Sequence, residues 1–168
     1  MTLTMYDASV PVFVRMLGNL SKLLAKGAAS FEARKIDPSV LVNARLAPDM
    51  HPLSRQIQIA SDSAKGCGAR LAGVEPPSFP DTESTIAELQ ARIAKTIAFL
   101  EGLPADKFVG SEDRVITLKI GGTDMPFPGK MFLLNFSHPN FYFHVSIAHG
   151  ILRHNGVEVG KGDFLGAA

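Results

Sequence analysis

The chain of 168 residues has no tryptophan and a single cysteine, Cys67. A lone cysteine excludes an internal disulfide framework and fits a reducing compartment. Charge of neither sign is in excess: 17 Lys and Arg stand against 16 Asp and Glu, a formal net charge of +1. The basic residues are scattered, which removes the electrostatic footprint of a nucleic-acid or anionic-membrane binder; neither partner is expected. No apolar run approaches the ~20 residues that span a bilayer. The stretch from Met1 to Asp7 lacks a basic region followed by an apolar one, the pattern of a secretory signal. These absences predict a soluble, cytoplasmic protein. Phosphate-binding glycine loops are missing as well, so Gly121-Gly122 reads as a turn. There is no G-x-S-x-G nucleophile elbow.

What is present is helical periodicity. Hydrophobic residues make up 46% of the chain, and a single domain over residues 1–168 can bury about 70% of its unfolded surface. From Asp7 to Lys26, Val10, Phe13, Val14, Leu17, Leu20 and Leu24 form one apolar stripe, with Asp7 or Ser9 as cap and Gly27 as stop. A second turn or helix is expected from Ala28 to Lys35, and Asp37-Pro38 opens a short helix to Asn43. From His51 to Leu71, Leu53, Ile57, Ala60, Ala64, Cys67 and Leu71 lie on one arc whose small side chains admit a close neighbour. Asp62 shares another side with Arg55 and Gln58, read as a solvated face. Asp81 to Leu103 repeats Ile86, Leu89, Ile93, Ile97 and Leu100 at three and four, behind an acidic start.

The period then changes. Val115 to Ile120 alternates and is β-branched, Gly121 to Asp124 turns, and Met125 to Phe127 returns as a weak strand because Pro126 lacks a donor. A last helical segment runs from Gly129 to Asn155, with a break or kink expected at Pro139 and Gly156 as cap. The tail from Val157 to Ala168 reads as irregular but partly ordered. The expected fold is all-α: a four-helix bundle with a small β-hairpin between helices three and four.

Four of the five histidines lie in the last helical segment. Phe141, Val145, Ala148 and Leu152 define its core stripe, and His144 falls about 60° from the stripe's centre. His144 should face the core or its edge, and a buried imidazole must bond or bind something. His51 heads the second long helix, where the positive dipole end favours a neutral, metal-competent ring. His138 and His149 are eleven residues apart, about 16 Å along the axis, too far to share one ion. His154 suits the negative end of the dipole in the last turn. His149 stands as a further candidate ligand beside His144, although about 140° separates them and one regular helix cannot aim both at one ion. Cys67, on the core arc, reads as a buried hydrophobe.

His138-Pro139-Asn140-Phe141-Tyr142-Phe143-His144, then Ile151 to Val157, then Gly160-Lys161-Gly162-Asp163-Phe164-Leu165-Gly166 resemble a bacterial family of undetermined function within the DinB-like (DinB/YfiT-like) metalloenzyme superfamily. The likeness also covers Gln56 to Leu71 and Glu88 to Leu100. It implies a DinB-like bundle and a three-histidine site for a divalent metal such as Zn, Ni or Mn. His51 matches the first ligand and His144 the second; the third falls on Ala148. The expectation is a non-enzymatic small-ligand-binding or homodimerising domain with a degenerate metal site. The alternative is a divalent-metal-dependent enzyme, thiol transferase-like or hydrolase-like, using His51 and His144.

Overall fold

The computed structural model describes residues 2–166. The chain runs α1 (Val10–Ala33), α2 (Pro38–Val42), α3 (Leu53–Ala72), α4 (Ile86–Glu101), a 3-10 turn (Ala105–Phe108), β1 (Val115–Ile120), β2 (Thr123–Pro128), α5 (Gly129–Met131), a π-helical turn (Phe132–Ser137), α6 (His138–His154) and α7 (Lys161–Leu165). It is mostly helical, with one small antiparallel hairpin. Helix α1 packs on α4 and α6, and α3 packs on the same two. Their facing stripes close over one continuous core, in which Phe13, Phe31, Phe132 and Phe141 are among the largest wholly buried side chains.

Local chemistry explains most boundaries. Asp37 caps α2 by accepting from the Ser39 amide at 2.8 Å. Helix α3 ends at Gly73, whose φ of 69° only glycine adopts without strain. At α4 the cap is Thr85: its hydroxyl accepts from the Glu88 amide and the Glu88 carboxylate reaches back, a capping box.

Three expectations are corrected. Gly27 does not stop α1. The helix continues to Ala33, and Gly27 is buried where a Cβ would meet Leu152 at 2.9 Å and Leu41 at 3.0 Å. The glycine is there for close packing. Neither Asp7 nor Ser9 caps α1 with its side chain; Asp7 instead holds the Thr4 hydroxyl, and the Ser9 hydroxyl donates to the Met5 carbonyl at 2.6 Å. Pro139 does not break the last helix. Its ring would crowd the carbonyl four residues back, and the π-helical turn just before it widens the backbone there, so the helix runs on into α6.

The hairpin pairs Val115 with Pro128 and Ile120 with Thr123 around Gly121-Gly122, both at positive φ. Pro126 sits opposite Thr117 and is tolerated because each strand of a two-stranded ribbon has a free edge. Ile116 turns inward, while Val115 and Ile120 stay exposed. In the tail, α7 gives more order than the sequence predicts. Ala167 and Ala168 lie outside the described residues.

Candidate functional site

Helices α3 and α6 lie side by side, and this pairing places His144 against Gln56. Both are buried: Gln56 is 1% exposed and His144 8%. Their contact joins His144 Nδ1 to Gln56 Oε1 at 2.7 Å. On its other side Gln56 Nε2 donates to the His51 backbone carbonyl at 3.0 Å.

This chain can be read in only one direction. The His51 carbonyl accepts only, so the amide nitrogen of Gln56 must face it. The amide oxygen then faces His144 and also accepts only. Nδ1 must therefore carry the proton, and Nε2 of the neutral ring keeps its lone pair. Burial lowers the His144 pKa, and the charges of His51 and Arg55 lower it further. The protein thus holds one oriented imidazole, uncharged near neutral pH, with a free nitrogen acceptor. Outer hydrogen bonds of this type orient the histidines of metal sites.

The set of donors stops short of a metal site. His51 is exposed at the loop end just before α3, on the same end of the protein as His144. Ala148 is wholly buried and offers no donor. Among the described residues no group of three or more His, Cys, Asp or Glu side chains is placed to hold one ion. Two imidazoles leave a divalent ion dependent on water or added ligands. The residues present do not fit a closed three-histidine centre.

The other histidines go elsewhere. His138 packs edge-on against Phe13 and Tyr142, 5.3 and 5.9 Å between ring centres, and burial lowers its pKa. His149 packs on Phe164 of α7 at 5.9 Å. Both Nε2 atoms are buried without a hydrogen-bond partner among the described residues. His149 therefore faces the tail instead of joining His144. His154 is exposed in the last turn of α6. Cys67 is buried, and burial pushes its thiol up to about 12, which keeps it a thiol and not a nucleophile.

The side of α3 that reads as solvated is partly covered. The connection between α3 and α4 folds back over it, and Arg92, with a side chain 1% exposed, bonds Asp62 at 2.9 Å, Asp81 at 3.0 Å and Glu83 at 3.1 Å. Arg92 Nε donates to Ser61 Oγ at 3.2 Å, and Gln58 donates to Glu83 at 3.0 Å. Phe79 lies beneath Lys65 and Lys95, 4.1 and 4.2 Å from their ammonium groups to the ring centre. Gln56 and Arg92 are the polar residues that sequence reasoning missed. A signal was available for both. Each lies on the apolar arc of its own helix, about 60° from Leu53 and Leu89 respectively.

Residues 5–165 match the family described as Domain of unknown function (DUF1993). Comparison with curated proteins gives no match. Among solved structures, the chain is similar to a DinB family member protein from Shewanella denitrificans: 44% identity, 97% of this chain and 92% of that one covered, TM-score 0.90. With nearly its whole length matched in sequence and superposed in structure, the chain belongs to the DinB-like family described as Domain of unknown function (DUF1993).

Proposed function

We propose that this protein is a DinB-like four-helix bundle that binds a small ligand without catalysing a reaction, its metal site reduced to His51 and His144. One observation carries the reading: Gln56 fixes the His144 tautomer so that a neutral Nε2 acceptor is ready for a hydrogen-bond donor, while position 148 supplies no third ligand. A hydroxyl or amine of a small molecule suits that acceptor. The divalent-metal enzyme would need the same lone pair and two further donors. The bundle's ring of four long helices is consistent with a homodimer built on an exposed flank, where Phe143 is 53% exposed.

The test is metal content together with tautomer. Tag-free protein supplemented with Zn, Ni or Mn should hold less than about 0.2 equivalents after dialysis. Nitrogen-15 spectra should show His144 with Nδ1 protonated and Nε2 bare, and Gln56→Leu should return it to a mixture. Stoichiometric metal, or a His144 already in the Nε2–H form, overturns the proposal. Sedimentation velocity reads the dimer separately.

A further inference from the structure

Fifteen residues of α3 separate Gln56 from Leu71, about 22 Å of helix, so the far end of the molecule is independent of His144. There an open cleft of about 800 Å³ lies between the N-terminal segment, the 3-10 turn and the π-helical turn. Leu3, Met5, Phe108, Val109, Leu133 and Leu134 supply much of its wall. Tyr6 packs edge-on against Phe108 at 5.3 Å and stiffens one side.

The opposite side is stapled. The Lys130 amide donates to the Glu112 carbonyl at 2.9 Å. Beside it the backbone of Gly129 touches that of Ser111 so closely that a Cβ would come within 1.9 Å of the Ser111 oxygen. Pocket walls of this size, apolar with few polar groups and already formed, are the usual form of a small-molecule site. At the mouth, Leu3 is 75% exposed, Val109 81% and Leu134 46%. Three neighbouring apolar side chains held in water mark a contact surface. The cleft also borders a π-helical turn, a feature enriched at functional sites.

The charges at the rim define the head of the ligand. Asp7 is already bonded to the Thr4 hydroxyl. Lys130 and Glu112 have no ion-pair partner among the described residues, and with Asp7, still ionised, the lining carries two carboxylates against one ammonium, which disfavours an anionic head. We propose that this cleft binds an elongated small molecule with a hydrocarbon body buried against Phe108, Leu133 and Leu134 and an uncharged polar head at the mouth.

Calorimetric titration of the full chain with 1-hexanol, 1-octanol and 1-decanol tests the idea. Binding should saturate at one site and tighten about fourfold per added methylene, from ~0.8 kcal/mol per buried CH₂. Val109→Trp and Leu134→Glu, both at solvent-facing positions, should weaken 1-octanol at least about tenfold while leaving the melting temperature unchanged. Non-saturable binding, a slope below about twofold per methylene, or unchanged affinity in both variants overturns the proposal. So does octanoate or octylamine binding more than about tenfold tighter than 1-octanol, which would mean a charged head. If the alcohols shift the His144 nitrogen signals instead, they bind at the other end and the cleft assignment fails. If Val109→Trp changes only the sedimentation coefficient, the cleft belongs to a second copy and the ligand proposal also fails.

Discussion

His144 and His138 are each held neutral by burial, and their shared direction has a consequence for stability. Both pKa values lie below the ordinary 6.5, with burial the leading cause. The unfolded chain therefore binds protons near pH 6.5 that the folded one refuses. Stability is complete above that value and falls as the pH drops through the lowered folded values. The urea midpoint should decline between about pH 7.5 and pH 5.5 with an unchanged m-value. His138→Phe should flatten part of that decline and leave stability at neutral pH within about 1 kcal/mol. The phenyl ring keeps the contacts with Phe13 and Tyr142 and removes the unpartnered Nε2, while a backbone interaction at Ala8 is lost. A variant with the full wild-type pH dependence would show that His138 does not titrate as described.

Between elements, small residues and one buried cation set the distances. A Cβ on Gly68 would meet Leu100 at 2.6 Å and Leu103 at 3.0 Å, so a side chain there forces both leucine ends to shift where α3 meets the end of α4. Gly68→Ala gains about 1 kcal/mol of helix propensity and loses about 1–3 kcal/mol to overpacking. The expected net cost is about 1 kcal/mol in urea denaturation. Gly18→Ala has open space around its new methyl and should instead stabilise α1, by up to about 1 kcal/mol. Equal effects of the two would remove the packing argument. Arg92→Met removes the cation shared by three carboxylates, of which Asp62 keeps Lys65, Asp81 keeps Arg55, and Glu83 keeps only the Gln58 amide. A fully buried pair would cost ~3–5 kcal/mol, but Asp62 and Asp81 keep 40% and 37% of their side chains in water. The expected cost is about 2–3 kcal/mol, together with faster proteolysis in the 74–85 connection that the arginine clamps. Periodicity showed the helices plainly. It did not show that the Asp62 side of α3 is partly covered, because the cover is a connection without a period of its own, fastened by Asp81 and Glu83. The same acidic residues, read along the chain, look like a helix start.

Over the whole molecule, the tail closes the α1 side. Asn19 donates to the Phe164 carbonyl at 3.2 Å, Arg15 to the Leu165 carbonyl at 3.1 Å, and Lys26 pairs with Asp163. The Gly160 amide donates to Asp163 at 2.9 Å, which starts α7. Removing residues 161–168 leaves Asn19, only 5% exposed, without its backbone acceptor and uncovers His149. The loss should be about 2 kcal/mol, or roughly 4–8 °C in Tm for a domain of this size. Unchanged melting would make the tail an ornament.

The division between what can be read along the chain and what needs the folded coordinates follows the range of the forces. Apolar spacing, the Asp37 cap, the hairpin and the alanine at position 148 are local, and a sequence states them directly. The pairing of Gln56 with His144 spans 88 residues, and Arg92 reaches back 30 to Asp62. Such partners are chosen by which helix faces meet, a consequence of burying the whole apolar surface together. Hence the stripes foretold four long helices, while the orientation of the one well-held imidazole came from packing alone.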